Sequence, residues 1–416
     1  MELVPGISAH FVQSKKFKTN KITIRFTAPL SLETIAGRML SASMLETANQ
    51  VYPTSQAFRR YLASLYGTDI STSAYRRGQA HILDLTFTYV RDEFLSKKNV
   101  LTSRILELVK QTLFFPLVQD GAFEPALFEI ERKQLLASLA TDMDDSFYFA
   151  HKELDSLFFH DGRLQLRYSD LRNSISNESP ESSYTCFQNA LKNDRIDFFF
   201  LGDFNEVEIT ESLKLLPFTV RENDVTIQYH QSYSNVLREG MVQRNVGQSI
   251  LELGYHSPVK YGDDEHLPML VMNGLLGEFA HSKLFANVRE NAGIAYTVSS
   301  QLDLFSGLLR MYAGIDRENR NRARKMMNHQ LLDLKKGNFT DFELEQTKEM
   351  IRRSLLMAQD NQQTLVERAY LNALLGKSSF DIDRLVAKLE SVDKEAVCKA
   401  ANSLKLQAIY FMEGVE

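Results

Sequence analysis

The chain has 416 residues, 44% hydrophobic and 24% charged, with 19 Gly and 9 Pro. This composition excludes collagen-like, low-complexity and intrinsically disordered classes and leaves room for two or three domains. Its 48 basic and 53 acidic residues give a formal charge of −5, and basic pairs such as Arg76-Arg77 and Lys97-Lys98 are scattered, so no nucleic-acid partner is expected. The two cysteines, Cys186 and Cys398, supply neither a disulfide framework nor a CxxC metal pair. The first twenty residues lack the charged-then-apolar order of a secretory signal, and no run approaches the roughly 18 apolar residues of a membrane span. A cytoplasmic location and no membrane partner are the expectations.

In chain order, alternation predicts a strand over 22–27 (Ile-Thr-Ile-Arg-Phe-Thr), then a helix beginning after Ser31 and ending near Thr47. A second alternating strand covers 83–89, and helical spacing covers 100–115 and 124–139. Phe198-Phe-Phe-Leu201, followed by Gly202, reads as a strand buried on both faces. The series then repeats: a strand at 250–253, a buried helix over 267–276, strands near 296–313, and helices at 317–335, 341–357 and 363–375. Ala408-Ile-Tyr-Phe-Met412 closes the chain as a second apolar strand.

Two rounds of the same order predict an α+β fold of two tandem homologous half-domains, each a mostly antiparallel sheet packed against helices. The polar stretch 219–243 is the natural joint. The expected division is a half-domain over 1–217, a linker over 218–242, and a half-domain over 243–416.

Local signals for chemistry are sparse. None of the nine histidines pairs with another at helical or strand zinc-ligand spacing, and scattered surface histidines are the expectation. Gly376-Lys-Ser imitates the end of a phosphate loop, but Leu371 stands where the first glycine belongs, and Gly376 reads as a helix C-cap. Asp142-Met-Asp-Asp lacks the glycine and distal glutamate of a calcium loop and reads as a helix end or turn. No GxSxG is present, and Cys186 has no histidine nearby in sequence.

Two segments remain. The first is Ser43-Met-Leu-Glu46-Thr47, ending a helix of small residues and followed by Tyr52-Pro53. The second is Leu284-Phe-Ala-Asn-Val-Arg289-Glu-Asn-Ala-Gly293-Ile-Ala-Tyr296. Ser282 can cap its helix, Leu284, Phe285 and Val288 form an apolar face, and Gly293 suits a left-handed C-cap before a strand. Taken alone, Arg289 and Tyr296 also fit a snorkelling arginine beside a half-buried tyrosine.

From Leu267 through Asp316 the second segment resembles the carboxy-terminal half-domain of the pitrilysin/insulinase family of zinc peptidases, the inverzincins, which includes the mitochondrial processing peptidase. The matching features are Asn273-Gly-Leu-Leu-Gly277, Ser282-Lys-Leu-Phe285, Val288 through Tyr296, and the strand 308–316. Active members carry H-x-x-E-H on the first long helix, the two histidines and a later glutamate holding zinc. The resemblance places Ser43 and Thr47 at the two histidine positions and retains only Glu46, the general base. For the third ligand, Glu131-Arg-Lys-Gln-Leu-Leu-Ala-Ser138 matches best and puts Ser138 at the ligand position. Two hydroxyls and one carboxylate do not make a three-ligand zinc site.

In the family the Arg and Tyr of the second half reach the zinc half and bind the peptide and its developing oxyanion. Arg289 and Tyr296 match them. The resemblance therefore implies a non-catalytic subunit of a heterodimeric zinc metallopeptidase. It would bind an HxxEH-bearing relative, enclose a peptide chamber and supply Arg289 and Tyr296, with zinc only in the partner and no cofactor or peptidase activity of its own. The alternative is a structural or peptide-binding protein on the same fold, with no catalytic contribution. Homodimerisation of the isolated chain fits either reading.

Overall fold

The computed structural model describes residues 1–96, 100–222, 225–376 and 381–415. The Lys97-Lys98 pair, and Lys377 and Ser378 of the glycine-lysine-serine stretch, lie outside the described residues. Gly376 ends its helix with φ +59°, the left-handed C-cap that the sequence predicts.

The described strands are β1 (Glu2–Val4), β2 (Ile7–Gln13), β3 (Thr19–Pro29), β4 (Asp69–Arg77), β5 (Ala80–Val90), β6 (Val118–Gln119), β7 (Ala122–Phe123), β8 (Arg195–Gly202), β9 (Arg238–Arg244), β10 (Ser249–His256), β11 (Ala295–Asp303), β12 (Leu308–Ile315) and β13 (Lys405–Gly414). Among the described residues they form a six-stranded sheet, β1-β2-β8-β3-β5-β4, a five-stranded sheet, β11-β12-β10-β13-β9, and the small hairpin β6-β7. Reading the larger sheets from β2 and from β9 gives one topology twice. In each, a first strand runs parallel to the closing strand (β2 with β8, β9 with β13), and the other pairs are antiparallel. The fold is the duplicated α+β arrangement the sequence predicts. The opening strand of each module, β2 and β9, is new: β9 falls largely in the stretch read as a joint.

The chain condenses into two compact units, and both draw on both halves of the sequence. One comprises Met1–Leu139, Ser169–Ile227 and Asn361–Gly376; the other comprises Ala140–Tyr168, Gln228–Asp360 and Lys377–Glu416. The contiguous division at 217 and 243 therefore differs from the compact units at two helices. Helix Ser146–Phe158, from the first half of the sequence, packs on β9, β10 and β13. Helix Gln362–Leu375, from the second half, packs on β2 and β8.

Alternation explains what these helices cover. Along β3, Ile22, Ile24 and Phe26 enter the first unit's apolar core with Phe198 and Phe200 of β8. The intervening Thr23, Arg25 and Thr27 are equally buried, at 0% exposure, because helix Gln362–Leu375 lies on their face. There Thr27 and Tyr370 share a 3.1 Å hydroxyl hydrogen bond, and the Arg25 guanidinium lies 4.3 Å from the Tyr370 ring. In the second unit Leu251, Leu253 and Tyr255 of β10 enter the core, and Gly254 faces helix Ser146–Phe158. A Cβ at Gly254 would stand 3.1 Å from the Phe158 ring, and one at Gly240 of β9 would stand 2.8 Å from Leu157. The two glycines permit the helix to approach the sheet closely.

The described part of the joint is packed. Arg221 donates to the backbone oxygens of Leu191 and Asp194 in the first unit, and Tyr229 N donates to Phe305 O in the second. The surface reading of the histidines needs correction: His81, His256 and His266 are 2%, 8% and 7% exposed. Each fills a polar niche inside its unit, a placement that sequence spacing does not encode. Among the described residues no helix is long and apolar enough to cross a membrane.

Candidate functional site

In the first unit, the positions that the resemblance assigns to the zinc motif, Ser43, Glu46 and Thr47, lie on helix Ile35–Thr47. Arg38 fixes the helix: its Nε donates to His81 Nδ1 at 2.9 Å, and its Nη1 pairs with Asp194. At the other end Glu46 Oε2 accepts from the backbone N of Thr72 at 2.8 Å and from the Thr72 hydroxyl at 2.7 Å. Glu46 thus ties the helix to β4, the edge strand of its sheet, and its carboxylate has a structural role besides any other.

Ser43 Oγ lies 3.4 Å from its own helix at Met39 O. Thr47 Oγ1 lies 2.9 Å from Ser43 O and 3.0 Å from Oε1 of Glu131. Glu131 sits on helix Pro125–Asp142 and is 8% exposed. Burial pushes its carboxyl above the ordinary range; the Thr47 hydroxyl pulls against this and the Glu46 charge adds to it. Ser138 lies on the same helix, two turns further on and exposed. The residue that meets the motif helix is therefore Glu131, which sequence reasoning used only as the start of its alignment. No pattern in the sequence signalled this contact.

Beside these residues a cavity of about 380 Å³ is lined by Glu46, Thr47, Arg59, Leu62, Asp69 and Ile70, among others. The donors present do not fit the family's zinc. The two imidazole positions hold hydroxyls, one already engaged with a carboxylate, and Glu46 is bonded to β4. Among the described residues no group of three or more His, Cys, Asp or Glu side chains is arranged to hold a metal ion. Zinc sites of this kind need three nitrogen or carboxylate ligands on one centre.

The second unit carries the other pair. Arg289 lies on a π-helical turn, Phe285–Asn291, opened by Ser282 Oγ accepting from Phe285 N at 3.4 Å. Leu284 and Val288 are fully buried under it. Gly293 adopts φ +62°, as predicted, and releases the chain into β11, the edge strand on which Tyr296 stands. Arg289 stacks over the Phe285 ring at 4.7 Å, with Glu290 3.4 Å from its Nε and the side chain 44% exposed. Tyr296 is 63% exposed and donates its hydroxyl to Asp316 Oδ1 at 3.1 Å, which raises the phenol above its ordinary range. Both side chains are exposed, one on the turn that precedes β11 and the other at its start.

These features can now be set beside known proteins. A family model described as the peptidase M16 inactive domain matches residues 177–351, a stretch that includes Arg289 and Tyr296. The probable inactive metalloprotease YmfF of Bacillus subtilis (strain 168) is 27% identical over 412 residues, spanning 99% of this chain and 96% of YmfF. Residues 177–351 thus place the chain with the M16 peptidases. It is an inactive-type M16-like metalloprotease homologue. Among solved structures, a conserved protein from Enterococcus faecalis V583 is similar over 100% of this chain and 98% of its own, at 32% identity and a TM-score of 0.95. A peptidase M16 inactive domain from Pseudomonas fluorescens shares the fold, with a TM-score of 0.77 at 15% identity over 99% of this chain and 97% of its own.

Proposed function

We propose that this chain is the non-catalytic subunit of a heterodimeric M16 zinc peptidase. An HxxEH-bearing relative would hold the zinc, the two chains would enclose a peptide chamber, and Arg289 and Tyr296 would act on peptide bound at the partner's metal. The observation that carries this reading is an asymmetry. The positions that the resemblance assigns to the zinc ligands hold hydroxyls bonded within the first unit, whereas Arg289 and Tyr296 remain exposed. A guanidinium and a phenol at that place can bind a peptide carbonyl and the oxyanion formed from it. The edge strand β4, beside the 380 Å³ cavity, could pair with an extended peptide by strand addition away from Thr72, whose N is taken by Glu46. A reducing, cytoplasmic setting fits the two free cysteines.

A stoichiometric HxxEH-bearing relative should co-purify with the chain from its native cells and cleave peptides only when this subunit is present. Recovery of the chain with itself or with unrelated proteins would move the reading to a structural or peptide-binding role. One observation favours that second reading: the Tyr296 proton is already donated to Asp316, so the phenol must exchange partners before it can serve an oxyanion.

A further inference from the structure

Three strands meet at the end of the second sheet where Tyr296 stands. β12 is the middle one, and its Ile315 lies opposite Ser249 of β10 on one side and Ala295 of β11 on the other. On the β11 side the register slips, because Thr297 already faces Gly314. Tyr296 is therefore the extra residue of a bulge in an edge strand, a feature that re-aims a side chain out of the ladder. One residue beyond the Ser249–Ile315 pair come Gln248 and Asp316, the carboxylate that accepts the Tyr296 hydroxyl.

Gly314 stands between these groups. Glycine inside a strand costs conformational entropy and gives up a packing side chain. Gly314 is buried and its φ is not positive, so the backbone does not call for glycine. A Cβ there would stand 2.5 Å from Nε2, 2.7 Å from Cδ and 2.9 Å from Oε1 of Gln248. The strand has given up a side chain to one group, the Gln248 carboxamide, which leans from the start of β10 over β12.

A second glycine seats the backbone that carries this amide. A Cβ at Gly414 of β13 would stand 2.4 Å from Val246 O and 3.0 Å from Gln248 C, and Gly414 N donates to Ser249 Oγ at 3.0 Å. The turn before β10 is thus pressed onto its sheet. Gln248 itself is half-buried, and among the described residues its carboxamide has no hydrogen-bond partner. Its two N–H donors and its carbonyl acceptor are left free one strand spacing, ~4.8 Å, from β11 beside Tyr296.

We infer that Gln248 is a substrate-binding residue of this site, its carboxamide bonding the backbone of a bound peptide next to the group that Tyr296 engages. A primary amide matches a peptide group, since each has an N–H to donate and a C=O to accept. The contact reads backbone rather than side chains, so the substrate class is an extended, unfolded polypeptide with no particular residue required at that position. The inference rests on the reading of Arg289 and Tyr296 given above.

Binding of fluorescein-labelled unfolded casein to the full chain, followed by anisotropy, tests this without the partner subunit. Gln248→Ala should weaken binding about two- to tenfold, the scale of one lost neutral hydrogen bond, with the melting temperature unchanged. Gly314→Ala should do the same, because its methyl meets the tip of a flexible side chain, and the double variant should bind no more weakly than either single one. Gln346→Ala, at an exposed position of helix Asp341–Met357, should bind like wild type. A wild-type chain that does not bind casein overturns the inference, and so do Gln248→Ala and Gly314→Ala proteins that bind it normally. Arg289→Ala and Tyr296→Phe separate this from the wider reading. If they weaken binding and Gln248→Ala does not, the inference fails and that reading stands; if Gln248→Ala alone weakens it, Gln248 binds peptide and the role of the Arg289–Tyr296 pair fails.

Discussion

The hydroxyl of Thr47 lies 3.0 Å from Oε1 of Glu131, joining the end of helix Ile35–Thr47 to helix Pro125–Asp142. The buried Glu131 carboxyl accepts from a neutral hydroxyl, and that helix-to-helix hydrogen bond can be tested by substitution.

Thr47→Val should lower stability by about 1–3 kcal/mol, since it leaves the buried Glu131 carboxyl without its hydroxyl partner. Ser138→Ala, at an exposed position, should stay within about 0.5 kcal/mol of wild type. Urea midpoints of the two variants measured side by side would check the contrast. Equal effects would mean that Glu131 is not the residue supporting this helix.

Arg289→Ala and Tyr296→Phe should leave the melting temperature nearly unchanged, because both side chains are well exposed. In the reconstituted heterodimer, each should lower turnover roughly tenfold to a thousandfold, the scale of losing one oxyanion donor. Steady-state peptide cleavage with the wild-type partner reads this out. Unchanged turnover in both would leave the pair as a remnant of the fold.

Acid should destabilise the chain well before its carboxylates protonate. Burial holds His81 down to about 3, with the Arg38 charge adding to the effect, and holds His266 down to about 4. The unfolded chain binds both protons near pH 6.5. As pH falls below that value the unfolded state takes up protons that the folded state refuses, so stability is lost towards pH 4 by up to about 1.4 kcal/mol per pH unit for each histidine. Denaturant titrations at pH 7, 6 and 5 would measure the slope, and His266→Gln should remove one proton from it.

The halves 1–217 and 243–416 expressed separately should each fail to fold. The first lacks Glu367 and Tyr370 above Arg25, and the second lacks His151 and Asp155 above Glu252 and Arg310. Removing one partner of a buried ion pair costs about 3–5 kcal/mol, and here each half loses a whole helix as well. Co-expression should restore soluble protein. Recovery of either half as a cooperatively folding monomer would contradict this.

The chain itself determined the element types, because apolar residues recur at period two along 22–27 and 83–89 and at helical spacing over 101–114 and 341–357, and because Gly293 and Gly376 fit only left-handed turns. The duplication was legible for the same reason, since both halves repeat one order of patterns. That positions 43 and 47 are the former zinc-ligand positions is proposed from residue identity and resemblance alone.

Tertiary structure alone decided what covers each strand's second face. Thr23, Arg25 and Thr27 alternate with apolar neighbours just as a strand wet on one side would. They are buried because a helix some 340 residues away in sequence lies over them, with Tyr370 343 positions from Thr27. No local pattern encodes that distance, just as none told that Glu131 would meet Thr47 or that Glu252 would lie under His151. Periodicity records which side of an element is apolar. Whether the polar side meets water or another element of the same chain is settled only when distant segments pack together.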